Sequence, residues 1–217
     1  MVSRRSVLKS IGAASAALFI PADVFSGTVT KKSPANIRYC LNTSTIRGQG
    51  LDLRQSIEVT ARAGYDGIEL WVDDVKNYLN EGKTLASLKK HIDDSRLTVE
   101  NAIGFAQWIV DDDQTRKVAF EQLETEMKMM AGLGCSRIAA PPAGATSGNL
   151  LDLTMVAQRY RALIELGLKT GVMPQLEIWG ASLNLSRLSQ ALFVAAEVNH
   201  PQARVLADVY QIGRAHV

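Results

Sequence analysis

Two carboxylates lie at the ends of apolar runs whose length and composition suit buried parallel strands. Glu177 follows Met-Pro-Gln-Leu, and Asp208 follows Val-Leu-Ala, with an amphipathic helical stretch between the two runs. Acids at the C-terminal ends of successive strands in a βα series point into the mouth of a barrel, where such folds keep their chemistry. Two acids so placed are half of a divalent-metal site, so we expect Glu177 and Asp208 to be metal ligands.

The elements that position these acids recur along the chain at near-regular intervals. Apolar runs predict strands over residues 37–41, 67–72, 97–103, 136–140, 174–179 and 204–209, and helical patterns occupy residues 51–64, 84–96, 111–133, 151–171 and 183–199. Strand-to-strand intervals of roughly 30 to 40 residues indicate βα units and a parallel sheet.

Six βα units are visible, whereas an eight-unit barrel takes about 250 residues. We therefore predict an α/β fold, a (β/α)8 TIM barrel of which about six units are present over residues 37–211. The alternative is a complete doubly wound sheet. That architecture is typically marked by a glycine-rich phosphate-binding turn, and the chain has neither a GxGxxG nor a GxxxxGK[ST] motif.

The N-terminus indicates export. Ser-Arg-Arg-Ser-Val-Leu-Lys over residues 3–9 precedes a short apolar stretch and resembles a twin-arginine signal, so residues 1–25 are predicted to be a signal for export to the periplasm and residues 26–36 a linker. A basic, flexible N-terminus is the alternative. The apolar stretch is too short for a stable membrane span. Without residues 1–25 the chain has 21 basic and 21 acidic residues, which argues against a nucleic-acid partner.

The C-terminal hexapeptide, residues 212–217, resembles one translated frame of a common sequencing adapter. We expect it to be a non-native tail, with native sequence ending at or within codon 211; a genuine short tail is the alternative. The two cysteines, Cys40 and Cys135, lie beside strands far apart in the predicted order. Separate buried thiols are favoured over a disulfide, and no CxxC or Cys/His spacing suggests zinc.

Four segments carry a family resemblance. Leu-Asn-Thr-Ser-Thr (41–45), Gly-Tyr-Asp-Gly-Ile-Glu-Leu-Trp (64–71), Leu-Glu-Ile-Trp-Gly (176–180) and Ala-Asp-Val-Tyr (207–210) resemble the xylose isomerase-like TIM barrels of the sugar phosphate isomerase/epimerase group. The resemblance covers about residues 37–211. It implies a small-molecule sugar or sugar derivative as ligand and leaves assembly into a homo-oligomer open.

The resemblance also implies a metal mechanism. In sugar-acting members Glu177 and Asp208 would share a Mn²⁺, Mg²⁺ or Co²⁺ ion with a histidine and a glutamate on two later strands. Glu177 would also transfer a proton next to a carbonyl, by way of an enediolate, in a sugar isomerase or epimerase. The two later ligands are not in this sequence, so we expect the chain as given to be inactive by itself.

Five further residues are candidates for substrate binding. Glu69, Trp71, Trp108 and Trp179 end or follow predicted strands, and Gln211 stands where the family favours a substrate-binding histidine. A salt bridge inside the barrel mouth is the alternative for Glu69, and core packing is the alternative for at least one tryptophan.

Three other functions compete with isomerisation. A keto-sugar or inosose dehydratase or lyase would use the same metal and the same proton abstraction, and a non-catalytic sugar-binding barrel would need neither. A nuclease of the endonuclease IV type is rejected, because it needs many histidines at strand ends. The credible histidines, His91 and His200, lie at none.

Overall fold

The structure, a computed structural model, describes residues 37–214. Six strands alternate with helices in this part of the chain. The strands are β1 (Cys40–Asn42), β2 (Gly67–Trp71), β3 (Thr98–Ile103), β4 (Arg137–Ala140), β5 (Met173–Glu177) and β6 (Val205–Leu206). The helices are α1 (Leu53–Arg62), α2 (Val72–Asn80), α3 (Leu85–Asp94), α4 (Asp113–Gly132), α5 (Leu153–Thr170), α6 (Leu188–Glu197) and α7 (Val209–Arg214), and a 3₁₀-helix (Thr43–Gln49) follows β1.

The strands form two parallel sheets of three, in the orders β1-β2-β3 and β4-β5-β6. β3 and β4 lie side by side, and Arg137 of β4 bonds Glu100 of β3 between the two sheets. Sequential parallel strands with intervening helices confirm the predicted α/β architecture of an incomplete barrel. Because all the strands run in one direction, their C-terminal residues gather at one end of the sheet.

Two helices were missed by the sequence analysis. Val72, predicted to end a strand, begins α2 and is buried with Val75 and Tyr78 at helical spacing. Val209, also predicted to end a strand, begins α7. The reason lies in Asp208, whose side chain accepts the Gln211 backbone N–H at 3.0 Å and closes the first helical turn.

Close packing attaches the helices to the sheet. A Cβ on Gly167 of α5 would lie 2.6 Å from Pro174 Cδ and 2.9 Å from the Val172 carbonyl oxygen, so only glycine fits there. The Tyr160 hydroxyl lies 3.0 Å from the Pro174 and Arg204 carbonyl oxygens and accepts the Arg204 N–H at 3.0 Å. This one buried side chain therefore ties β5 to the segment that enters β6.

Both cysteines are free: Cys135 is buried as expected, whereas Cys40 is exposed, which corrects its prediction as a buried thiol. No helix within residues 37–214 is long and apolar enough to cross a membrane. The predicted signal and linker, and the last three residues of the predicted tail, lie outside the described residues.

Candidate active site

Glu177 lies at the C-terminal end of β5 and is the most perturbed acid of the site. Its residue is 6% exposed, and its Oε2 atom has no hydrogen-bond partner among the described residues. Burial raises the pKa of its carboxyl to about 7, a contact with the Trp179 side chain lowers it, and the charges of Asp208 and Glu69 raise it. A carboxyl with such a pKa can accept and return a proton near neutral pH.

Asp208 follows β6, whose Leu206 pairs with Glu177 in the parallel register. The side chain is half-buried, and its Oδ1 atom accepts the Gln211 backbone N–H at the start of α7. The structure therefore brings Asp208 to the same end of the sheet as Glu177, and gives it a capping role that the sequence analysis did not consider.

Glu69 is the middle residue of β2 and pairs with Asn42, the last residue of β1, so it lies level with the C-terminal end of that strand. Asn101 Nδ2 donates to its Oε1 at 2.8 Å, and Asn42 Nδ2 donates to its Oε2. Burial raises the pKa of Glu69, the two amide hydrogen bonds lower it, and the charge of Asp208 raises it. Glu69, Glu177 and Asp208 thus lie close enough for their charges to interact, although they come from three different strands.

An aromatic row borders these acids. The ring of Phe105 lies 5.0 Å from that of Trp71 and 6.0 Å from that of Trp179, centroid to centroid. The Arg47 guanidinium lies 4.1 Å from the centroid of Trp71. Trp71 and Trp179, two of the three tryptophans predicted to bind substrate, therefore form one wall of the site together with Phe105 and Arg47.

Trp108 does not belong to this wall, which corrects its assignment as a substrate-binding residue. It is 1% exposed, its indole N–H donates to the Pro141 carbonyl oxygen at 2.8 Å, and its ring packs 6.1 Å from that of Tyr160. Because its indole N–H is already hydrogen-bonded and its ring is buried, Trp108 is a core residue. This is the alternative that the sequence analysis kept open for at least one tryptophan.

Gln211 lies in α7, half-buried, where its backbone N–H completes the Asp208 cap. Three residues of this neighbourhood were not predicted from the sequence: Arg47, Phe105 and Asn42. Asn42 could have been predicted, since it lies beside the end of a predicted strand.

Two of the carboxylates suit a divalent cation. Among residues 37–214, no group of three or more His, Cys, Asp or Glu side chains is arranged to hold a metal ion. Glu177 nevertheless has a buried oxygen without a partner, and carboxylate oxygens are the ligands that Mg²⁺ and Mn²⁺ prefer. The described residues therefore fit a part of such a site, to which Glu177 and Asp208 would contribute two ligands.

Comparison with known proteins identifies the family. A family model described as a xylose isomerase-like TIM barrel matches residues 57–216, well over half of the chain. The chain belongs to this family. No curated protein matches its sequence.

Solved structures of xylose isomerase-like and related barrels share the fold at low sequence identity. The probable 3-DHS dehydratase AsbF of Bacillus anthracis is 20% identical with a TM-score of 0.71, over 83% of this chain and 66% of its own. An IolI protein with a bound zinc atom is 19% identical (TM-score 0.71), over 81% of this chain and 64% of its own. A D-psicose 3-epimerase solved with D-fructose is 13% identical (TM-score 0.68), over 82% of this chain and 65% of its own. The chain thus spans about two-thirds of each of these relatives.

Proposed function

We propose that this xylose isomerase-like barrel is a divalent-metal-dependent isomerase or epimerase that moves a proton next to the carbonyl of a sugar or sugar derivative. The observation that carries the proposal is Glu177. It is a buried carboxyl at a strand end, with one oxygen unpartnered and a pKa raised to about 7. A buried strand-end carboxylate with a free oxygen, in no ion pair among the described residues, is placed to bind a cation or to exchange a proton with a ligand.

The roles of the other residues follow from their positions. Glu177 and Asp208 would hold the cation, which would polarise the sugar carbonyl and acidify the adjacent C–H bond. Glu177 takes the proton from that carbon. In an isomerase it delivers the proton to the neighbouring carbon; in an epimerase a second acid, the glutamate that the family places on a later strand, delivers a proton to the opposite face. Trp71 and Trp179 present apolar ring surface to the sugar, and Glu69 accepts hydrogen bonds from its hydroxyls. Gln211, three residues after Asp208, donates its backbone N–H to that acid and would contact the ligand from α7.

A second candidate is a dehydratase or lyase, in which the same proton abstraction is followed by loss of a neighbouring hydroxyl group. The structural likeness to a probable 3-DHS dehydratase supports it, and the likeness to a D-psicose 3-epimerase supports the first candidate. Glu177 would have the same role in both.

Metal binding is the first test, because it depends on residues that the structure describes. We would titrate Mn²⁺ into the full chain and follow the free-ion signal by electron paramagnetic resonance. Glu177→Gln should weaken Mn²⁺ binding by at least about tenfold, whereas Glu121→Gln, at an exposed carboxylate of α4, should not change it. Equal affinity of wild type and Glu177→Gln would refute the metal site.

Proton transfer is tested separately. The chain is incubated with Mn²⁺ and D-fructose in D₂O, and the ¹H spectrum is followed for loss of the signal from the carbon next to the carbonyl. Exchange that disappears in Glu177→Gln supports an isomerase or epimerase. A new product with one water fewer supports the dehydratase.

A further inference from the structure

The carboxylate of Glu69 is held between two carboxamides, one from each neighbouring strand. Asn42 of β1 donates to Oε2, and Asn101 of β3 donates to Oε1 at 2.8 Å. Asn101 is 7% exposed. Both carboxylate oxygens are therefore fixed by directed hydrogen bonds on opposite sides, and each keeps a further position at which it can accept.

The strand register creates this arrangement. Asn42 pairs directly with Glu69 in the β1–β2 ladder, and Glu69 pairs with Asn101 in the β2–β3 ladder. A register shift follows the pairing of Ile68 with Val99, so Glu100 is passed over. Without this irregularity Glu100, a second carboxylate, would lie opposite Glu69. Because of the bulge, the Asn101 amide lies opposite Glu69 instead, and the Glu100 carboxylate accepts a hydrogen bond from Arg137.

The orientation of the Asn42 carboxamide is determined by its other partners. Its Oδ1 atom accepts the Trp71 indole N–H at 3.1 Å and the Ser44 backbone N–H at 2.8 Å. Both are donors only, so the oxygen must face them and the Nδ2 group must face Glu69. One side chain thus connects the aromatic row to the acid.

We propose that Asn42 and Asn101 are positioning residues that hold Glu69 as a fixed hydrogen-bond acceptor for a hydroxyl group of the bound sugar. This inference rests on the proposed function for the identity of the ligand. Neither asparagine contacts the reacting carbon in this scheme; each acts through Glu69. A carboxylate held by directed donors loses little conformational freedom when the ligand arrives, which favours selective binding.

Two substitutions test the positioning by different means. Asn101→Leu removes only the donor to Glu69, because Asn101 Oδ1 has no partner among the described residues. Asn42→Asp keeps an acceptor for Trp71 and Ser44 but replaces the donor with a like charge. Asn80→Asp, exposed at the end of α2, is the matched control. Melting temperatures of all three variants show whether they are folded.

The first readout is the pH titration of the Glu69 carboxyl. It is monitored through the ¹³C signals of labelled glutamate side chains, and the Glu69 signal is assigned as the one missing in Glu69→Gln. The ionisable groups whose charges act on Glu69 are the carboxyls of Glu177 and Asp208, whereas the nearby Cys40 thiol, its pKa raised to about 12, is neutral in this range. Both Asn101→Leu and Asn42→Asp should raise the midpoint of Glu69 by about one pH unit, while Asn80→Asp leaves it in place. An unchanged midpoint in folded Asn101→Leu and Asn42→Asp overturns the proposal.

The second readout is the affinity for D-fructose in the presence of Mn²⁺, from the fluorescence of the tryptophans. Both variants should bind the sugar at least tenfold more weakly than wild type, with Mn²⁺ affinity unchanged. If wild type binds Mn²⁺ but none of a panel of ketoses, the proposed sugar ligand fails while the Glu69 titration still tests the positioning. Wild-type affinity for D-fructose in both variants would overturn the inference.

Discussion

Arg137 joins the two sheets through Glu100. Its Nε atom donates to the Glu100 carbonyl oxygen at 2.8 Å, and its Nη2 atom donates to the carboxylate at 2.6 Å. Arg38, just before β1, pairs with the same carboxylate at 2.9 Å. Through these contacts Glu100 links β3 to β4 and to the segment before β1.

Replacing Arg137 should therefore weaken the contact between the sheets. Arg137→Met keeps much of the aliphatic stem but leaves the Glu100 carbonyl and carboxylate without these donors, so we expect a loss of about 1–3 kcal/mol in the free energy of unfolding. Urea denaturation followed by circular dichroism measures it. Lys90→Met, which breaks an exposed helical pair with Asp94, should cost less than about 0.5 kcal/mol. Similar costs for the two variants would contradict a joining role for Arg137.

Gly67 leaves room for the Glu100 side chain. A Cβ at residue 67 would lie 2.5 Å from Glu100 Cγ and 3.0 Å from the Thr98 carbonyl oxygen. Gly67→Ala should destabilise the protein by about 1–3 kcal/mol, although alanine is ordinarily the better strand residue. The matched control is Gly48→Ala, where a Cβ meets nothing within 4 Å. Thermal unfolding compares the two variants, and equal melting temperatures would show that Glu100 moves aside at no cost.

Regular features of the chain could be predicted from its sequence. Apolar runs at near-regular spacing located all six strands, and the acids at their ends located Glu177, Asp208 and Glu69 at one end of the sheet. These predictions depend on periodicity and chain direction alone, which are local properties.

The missed features depend on contacts between distant residues. Asn101 reaches Glu69 because of a register shift, which no periodicity reveals. Trp108 follows a strand just as Trp71 does, but its indole N–H finds a carbonyl acceptor on Pro141, 33 residues away in sequence. Candidate site residues could therefore be predicted from their position at strand ends. Which of them lie in the site depends on packing against other strands, which the sequence does not reveal.

The free energy of unfolding of the metal-free protein should fall as pH rises. The reason is that Glu177 ionises at a lower pH in the unfolded state than in the folded state. Burial raises the pKa of Glu177 in the folded state to about 7 from its ordinary value of 4.5. Between these values the folded state binds more protons than the unfolded state, so stability is fully present below about pH 4.5 and falls towards pH 7. The contribution of Glu177 to this loss is about 3 kcal/mol at most.

Glu177→Gln isolates this contribution. The difference in the free energy of unfolding between the variant and the metal-free wild type, from urea titrations at pH 5, 6, 7 and 8, should grow in favour of the variant as pH rises. Adding Mn²⁺ should reverse the order at pH 8, because the cation favours the ionised carboxylate of the wild type. A difference that is the same at every pH would show that Glu177 ionises normally in the folded protein.

Asp208 has two roles: its negative charge would bind the cation, and its side chain caps α7. Two substitutions distinguish these roles. Asp208→Asn retains an acceptor for the Gln211 N–H but loses the charge, so it should weaken Mn²⁺ binding while leaving α7 intact. Asp208→Ala loses both, so it should also expose the backbone amides of α7, at a cost of about 0.5–2 kcal/mol. Amide hydrogen exchange at Gln211 and Ile212 reports the helix, and Mn²⁺ titration reports the charge. Faster exchange in Asp208→Asn with unchanged Mn²⁺ affinity would leave Asp208 a cap and remove it from the metal site.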